Sequence, residues 1–362
     1  MIDADFWNGK RVFLTGHTGF KGAWMSLLLG AMGAKVFGYS LAPEQADGIF
    51  LSAGIANDVH HHIADIRELG VLKRAMTEAA PDIILHMAAQ ALVRKSYADP
   101  VETYSTNVMG TVNVLEAART VASIRAVVVV TSDKCYDNVG VTKGYRETDR
   151  LGGHDPYSNS KGCAELVTSA FRDSFFNTDQ MPCVASARAG NVIGGGDWAE
   201  DRLVPDAVRA FSAGQSLRIR NPHAVRPWQH VLDPIVAYLL LAERLVKNGK
   251  TYAQAWNFGP SSASEVPVER IVEGLIKKWG GAARWERDGS DHPHEAAYLK
   301  LDCSKAEDQL GWKPLIDLDR TLALTVDWYR SQKEGADMRS VSLSQIESIM
   351  PGILAPARGS AD

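Results

Sequence analysis

The chain is poor in cysteine. Its four thiols, Cys135, Cys163, Cys183 and Cys303, are scattered over 362 residues with no paired spacing. That excludes a disulfide framework or a cysteine-based zinc site and fits a reducing compartment. No apolar run approaches the roughly 20 residues that cross a bilayer. The opening Met1-Ile2-Asp3-Ala4-Asp5 is acidic where a secretory leader is basic and then apolar, so a cytoplasmic protein without a membrane partner is expected. Positive charge is not in excess either; a net charge of -4 leaves no electrostatic footprint for nucleic acid. Histidines cluster at His60-His61-His62 and His292-Pro293-His294, but no carboxylate or cysteine stands at ligand spacing, and no metal is expected. Internal repeats and low-complexity blocks are missing as well. What remains, 45% hydrophobic and 23% charged, is the composition of a globular protein long enough for one large or two moderate domains.

Short apolar runs alternate with helical patterns through the first half. Strands are expected at Val12–Leu14, Lys35–Tyr39, Val59–Ile63, Ile83–Met87, Ala126–Val130 and Cys183–Arg188, with a further one at Ala255–Phe258. Apolar residues recur at helical spacing through Trp24, Leu27, Leu28 and Ala31, and again through Val108, Val112 and Leu115 in one helix from about Glu102 to Val121. Near-continuous apolar strands separated by helices predict an α/β fold, a doubly wound parallel sheet covered on both faces. After Asn191 the alternation becomes irregular, and Gly194-Gly195-Gly196-Asp197 reads as a flexible loop. Further helices are expected around Val268–Trp279 and Leu318–Arg330. The small-residue tail, 351–362, reads as disordered.

Between the first strand and the first helix lies Gly16-His17-Thr18-Gly19-Phe20-Lys21-Gly22. Glycines in this setting let the backbone turn sharply and approach a pyrophosphate resting on the helix N-terminus. His17 is unusual beside phosphates, and its bulk predicts looser retention of the cofactor. At the end of the second strand Tyr39-Ser40 replaces the acid that commonly holds a ribose 2′-hydroxyl, and no basic cluster for a 2′-phosphate stands there. Asp65-Ile66, after the third strand, are placed to meet the adenine. NAD is the expected cofactor.

Tyr157 and Lys161 stand one helical turn apart and share a face. A tyrosine is a poor base at its reference pKa of about 10; a neighbouring ammonium and a cationic nicotinamide favour the phenolate. Following the buried run Ala126–Val130 comes Thr131-Ser132-Asp133-Lys134, which adds an acid and a second amine. One proton shuttle suffices for alcohol oxidation, so two pairs point to an extra proton-transfer step.

With the glycine turn, these residues, His86-Met87-Ala88-Ala89-Gln90 and Asn107-Val108-Met109-Gly110-Thr111 make the chain resemble the extended short-chain dehydrogenase/reductase superfamily from residue 8 to about 330. The resemblance implies a Rossmann-type domain, 1–190 with 225–258, and a smaller mixed nucleotide-sugar domain, 191–224 with 259–350. It places Gln90 and Asn107 near the nicotinamide, with Asn107 organising the site rather than reacting, and counts Ala88 among the cofactor contacts. Within the superfamily, Thr131 to Tyr136, Asp155 to Gly162, Gly190 to Trp198 and Arg226 to Val231 resemble the CDP-glucose 4,6-dehydratase family.

That resemblance implies an intramolecular oxidation, elimination and reduction giving a 4-keto-6-deoxy sugar for deoxysugar supply to bacterial surface polysaccharide. Tyr157 and Lys161 would run the hydride step, Ser132 would hydrogen-bond the C4 oxygen, Asp133 would serve as the acid at C6 and Lys134 as the base at C5. A lysine needs its reference pKa of about 10.4 lowered for that work. Relatives acting on dTDP-glucose carry Glu where this chain has Lys134. Asn191, Arg202 and Arg226 resemble the family's diphosphate contacts, and Tyr298, Arg218, Arg220 and His230 are further candidates. A homodimer through the helices beginning near Glu102 and Tyr157 is implied too. Other readings stay open: another nucleotide-sugar 4,6-dehydratase, since no residue pattern in the chain tells the bases apart; a nucleotide-sugar 4-epimerase, which needs no acid and base at C5 and C6; and a non-catalytic NAD-sensing module, which could dispense with Tyr157 and Lys161.

Overall fold

In the computed structural model, which describes residues 2–289 and 298–354, seven parallel strands form the central sheet. They are β1 (Arg11–Thr15), β2 (Lys35–Ser40), β3 (His60–Ile63), β4 (Ile83–His86), β5 (Ala126–Val130), β6 (Cys183–Arg188) and β7 (Ala255–Asn257), in the order β7-β6-β5-β4-β1-β2-β3. Every expected strand is present; the central ones are written in continuous apolar residues because both faces of the sheet are covered there, whereas β3 is an exposed edge. All five positions of β5 and all four of β4 are buried. The order reverses between β1 and β4, and a doubly wound sheet opens its ligand crevice at such a switch point, beyond the carboxyl ends of the strands.

The covering helices are α1 (Phe20–Ala31), α2 (Leu69–Ala79), α3 (Val93–Ala98), α4 (Pro100–Tyr104), α5 (Gly110–Ala118), α6 (Pro156–Phe175), α7 (Leu203–Ser212), α8 (Leu232–Asn248), α9 (Val268–Trp279), α10 (Leu318–Lys333) and α11 (Met338–Ile349). The single helix expected from Glu102 to Val121 is interrupted: a π-helical turn, Ser105–Met109, joins α4 to α5. Such turns recur at functional sites, and this one carries Asn107.

Helix α1 is buried from Gly22 through Leu29, not along one stripe. Its sheet-facing side meets the core, and its outer side is covered by α11 from the far end of the chain. An all-round apolar helix needs such double cover. The segment expected to be a flexible loop, Gly194–Asp197, is likewise packed. A Cβ on Gly195 would lie 2.0 Å from Cγ of Trp328, and the Trp24 indole donates to the Gly195 carbonyl at 3.0 Å. These glycines permit close approach; they do not supply freedom. The tail expected to be disordered from Pro351 keeps Ile353 buried; residues 355–362, and His292 and His294, lie outside the described residues.

Candidate active site

The glycine turn is shaped for a group that approaches backbone. Gly16 has φ +78°, and a Cβ there would meet the Ala88 nitrogen at 2.8 Å; one on Gly22 would sit 2.0 Å from the Gly16 carbonyl. Gly19 caps α1 without a side-chain hydrogen bond, so the first N–H groups of the helix are open to an anion. Thr18 ties the turn to the end of β2 through the Ser40 hydroxyl at 2.8 Å. These features fit a dinucleotide pyrophosphate.

His17 corrects the expectation made for it. The imidazole does not stand beside the phosphate position; it is buried against Gly38, where a Cβ would lie 2.5 Å from the ring, and meets His61 Nδ1 through Nε2 at 2.7 Å. Burial pulls its pKa down to about 4, so the ring is neutral. Asp65 is held by Arg67 through a side-chain pair at 2.9 Å and a backbone N–H at 2.8 Å, and the arginine keeps its carboxyl below the usual range. Ile66 fills the space opposite Gly110, where a Cβ would lie 2.4 Å from its Cδ1.

A hydrogen-bonded relay runs from this turn to the catalytic helix. Thr15 Oγ1 accepts from the N–H groups of Met87 and Ala88 and pairs with His86 Nδ1 at 2.8 Å. His86 Nε2 meets Thr111, whose hydroxyl donates to the Asn107 carbonyl at 2.7 Å. The Asn107 amide exchanges hydrogen bonds with both backbone groups of Gln90 and donates to Ser160 Oγ at 2.9 Å, and Ser160 donates to the Tyr157 carbonyl. The Asn107 amide is thus fully engaged within the protein. Gln90 spends its own amide on Leu92 and Thr103.

Helix α6 starts where Asp155 caps it, accepting from the Ser158 N–H at 2.9 Å, with Pro156 in the first turn. That start delivers Tyr157 and Lys161 on one face toward the end of β5. Glu165, another turn along, pairs with Arg188 on β6 at 2.7 Å and accepts from Thr131 and Ser186, locking helix to strands. Burial raises Tyr157 to about 12, with the Ser132 hydroxyl opposing, and pulls Lys161 down to about 8 against the pull of Glu165. The expected lowering of the phenol is thus absent in the free chain, where desolvation outweighs the Ser132 hydroxyl and the Arg202 charge.

Past β5, Ser132 Oγ donates to Asp133 Oδ1 at 2.9 Å. Asp133 is 1% exposed, burial raises its pKa, and among the described residues Oδ2 has no hydrogen-bond partner. A buried carboxyl with one oxygen left over is placed to engage a ligand group in the cavity. Gly190 makes its room: a Cβ there would lie 1.9 Å from Oδ2.

Ser132, Asp133, Lys134 and Tyr157 open into one cavity of about 950 Å³, together with Phe20, Asn191, Arg202 and Arg226. Arg202 enters it paired with Asp197 at 2.7 Å, and Asn191 adopts φ +47° at its wall. Tyr298 does not line the cavity; it is 38% exposed, its carbonyl accepts from Asn138, and the neighbouring Leu299 faces inward instead. Sequence reasoning assigns Lys21 to the cofactor turn only. Its side chain reaches the cavity, with Nζ 5.9 Å from the Tyr238 ring centroid; burial and the Lys161 and Arg202 cations pull it down to about 7. The apolar i, i+3 pattern around it gives no sign of that direction, and Gly190 and Arg94, also at the cavity, carry no local signal either. Among the described residues no group of His, Cys, Asp and Glu is arranged to hold a metal ion.

Residues 13–325 match the family described as GDP-mannose 4,6 dehydratase. A CDP-glucose 4,6-dehydratase of Salmonella typhimurium is 53% identical over 354 residues, covering 97% of this chain and 99% of that protein. Among solved structures, a dTDP-glucose 4,6-dehydratase of Streptomyces venezuelae with NAD bound superposes with a TM-score of 0.75 at 25% identity, over 91% of this chain and 99% of that one. A UDP-glucose 4-epimerase of Thermotoga maritima with UDP-glucose shares the fold, with a TM-score of 0.78 at 21% identity over 89% and 99%.

Proposed function

Since the chain belongs to the GDP-mannose 4,6 dehydratase family, we propose that it converts CDP-glucose into CDP-4-keto-6-deoxyglucose and water, with NAD as a cofactor restored at the end of each turnover. The observation that carries this reading is the idle Oδ2 of buried Asp133 in the same cavity as Tyr157. A 4-epimerase has no use for such an acid.

When bound, NAD would supply the store for the hydride that moves from C4 to C6; the backbone of the turn from Gly16 to Gly22, with Asp65, Ile66, Ala88 and Lys161, would hold it. Tyr157 accepts the proton of the C4 hydroxyl, while Lys161, cationic below about pH 8, stabilises the phenolate. Ser132 steadies the C4 oxygen. Once C4 is a ketone the C5 hydrogen is acidic: Lys134 takes that proton, and Asp133 protonates the C6 hydroxyl so that it leaves as water. Lys134 then returns its proton to C5 as C6 is reduced. Asn191, Arg202 and Arg226 line the same cavity, where their polar groups are available to the nucleotide sugar, and the base is cytosine, as in the Salmonella relative's substrate. The product would feed 6-deoxyhexose supply for bacterial surface polysaccharide, in the cytoplasm; no described helix is long and apolar enough to cross a membrane. The protein pairs through α4, α5 and α6, whose Val101, Leu166 and, in the connecting turn, Met109 are exposed apolar side chains.

Mixing the protein with NAD and a panel of nucleoside-diphosphate glucoses tests this. Loss of one water from CDP-glucose by mass spectrometry is expected; unchanged mass with C4 inverted means an epimerase, and no product means a binding module. In Lys134→Met, retained exchange of the C5 hydrogen with deuterated solvent rules that lysine out as base.

A further inference from the structure

The mouth of the cavity carries an ionic arrangement that the reaction steps leave unused. Arg94 comes from α3 on the Rossmann side, and Arg220 follows the strand Ser216–Ile219 on the opposite side. Both point to one carboxylate: Asp201 Oδ1 lies 3.1 Å from Arg94 Nη1 and 4.0 Å from Arg220 Nη2. Asp201 holds φ +59°, the left-handed region that side chains rarely adopt, in the turn between Asp197 and Arg202. All three side chains line the cavity.

The neighbouring pair behaves differently. Asp197 is 5% exposed, accepts from the Ala199 N–H at 3.1 Å as well as from Arg202, and belongs to the packed loop. Asp201 is exposed, and its partners sit at the rim, where an ion pair is held weakly. Its single charge meets one arginine closely and the other only at 4.0 Å. A diphosphate carries two adjacent anionic groups, each matched to a guanidinium fork. Exchange would trade weak rim pairs for stronger ones and would find both cations already aimed at the cavity, which lowers the ordering cost of binding.

We propose that Arg94 and Arg220 clamp the substrate's diphosphate at the cavity mouth, and that Asp201 is an internal anion shared by both until the substrate replaces it. This rests on the substrate being a nucleotide sugar. It also separates two tasks: Arg226 is buried deep enough for its charge to bear on Asp133, whereas the rim pair reads the phosphates.

Calorimetric titration of the NAD-loaded protein with CDP and with CMP tests the clamp. Arg94→Ala and Arg220→Ala are each expected to weaken CDP about tenfold while leaving CMP within about twofold. Asp201→Asn keeps the shape, tolerates the positive φ and removes the competing charge, so it should tighten CDP about threefold. If wild type binds CDP and Arg94→Ala binds it equally well, the clamp is overturned while the substrate reading stands. If Asp201→Asn weakens CDP as much as Arg94→Ala does, Asp201 is a structural part of the rim and the exchange is overturned. A wild-type protein that binds no nucleoside diphosphate overturns both readings.

Discussion

The cofactor side of the site and the substrate side are built on opposite principles. From Thr15 through His86, Thr111, Asn107 and Ser160 to the Tyr157 carbonyl, each link hands a hydrogen bond to the next, inside the protein. On the substrate side Asp133 keeps an oxygen idle and Asp201 stretches between two arginines. The first is a scaffold whose polar groups are spent on holding geometry. The second is a set of groups held in reserve for a ligand. Damage to the scaffold should therefore appear first in stability, and damage to the reserve first in rate.

Removing the group that both half-reactions share should have the largest effect. Tyr157→Phe is expected to lower turnover about 10³-fold and to slow both the appearance of reduced-cofactor absorbance and the loss of water by that factor, since Tyr157 is the group that takes the C4 proton. Next comes the reserve alone. Asp133→Asn should slow water loss about 10²-fold while C4 oxidation continues, so reduced cofactor accumulates after mixing with substrate. Gly190→Ala should do the same, because the added methyl occupies the place of Oδ2; a variant that dehydrates normally would mean Asp133 is not the acid. In the scaffold, Asn107→Ala leaves both backbone groups of Gln90 unpaired and should cost about 2 kcal/mol in denaturant unfolding. A rate loss without a stability loss there would break the contrast.

The smallest effect is on pH dependence. Lys161 titrates at about 8, lowered from 10.5, so its cation is present below that pH and lost above it. The kcat/KM profile should fall on the alkaline side near pH 8. In Lys161→Arg, whose guanidinium stays charged throughout, that fall should vanish.

What can be read from the chain alone divides along similar lines. The central strands are legible because their burial is written in consecutive residues, the exposed edge strand β3 is bounded only by Val59 and Ile63, and the Tyr157–Lys161 spacing is a local property of one helix. The π-helical turn is not, since Ser105–Met109 carries the same apolar spacing as an uninterrupted helix. Gly194–Gly196 suggest flexibility because composition cannot distinguish a glycine that bends from one with a tryptophan against it; Trp328 lies more than 130 residues away in the chain. The direction of the His17 and Lys21 side chains depends on Gly38, His61 and Tyr238, none of them local to the motif. Tyr298, a further candidate contact, lies outside the cavity lining while its neighbour Leu299 is part of it.

The packing at Gly195 bears on any attempt to rebuild this protein from parts. Trp24, from the helix that begins at the cofactor turn, and Trp328, from near the end of the chain, close on the same glycine, and the Tyr329 hydroxyl donates to the carbonyl of Asp197 two residues further on. A chimera that kept the dinucleotide half and borrowed its last two helices from a relative would retain the glycine turn, the Tyr157–Lys161 pair and the Ser132-Asp133-Lys134 run. It would still set Asp197 and Arg202 by a foreign wall. In this chain the C-terminal helices shape the wall that carries Asp197 and Arg202, and they should be exchanged together with the first helix or left alone.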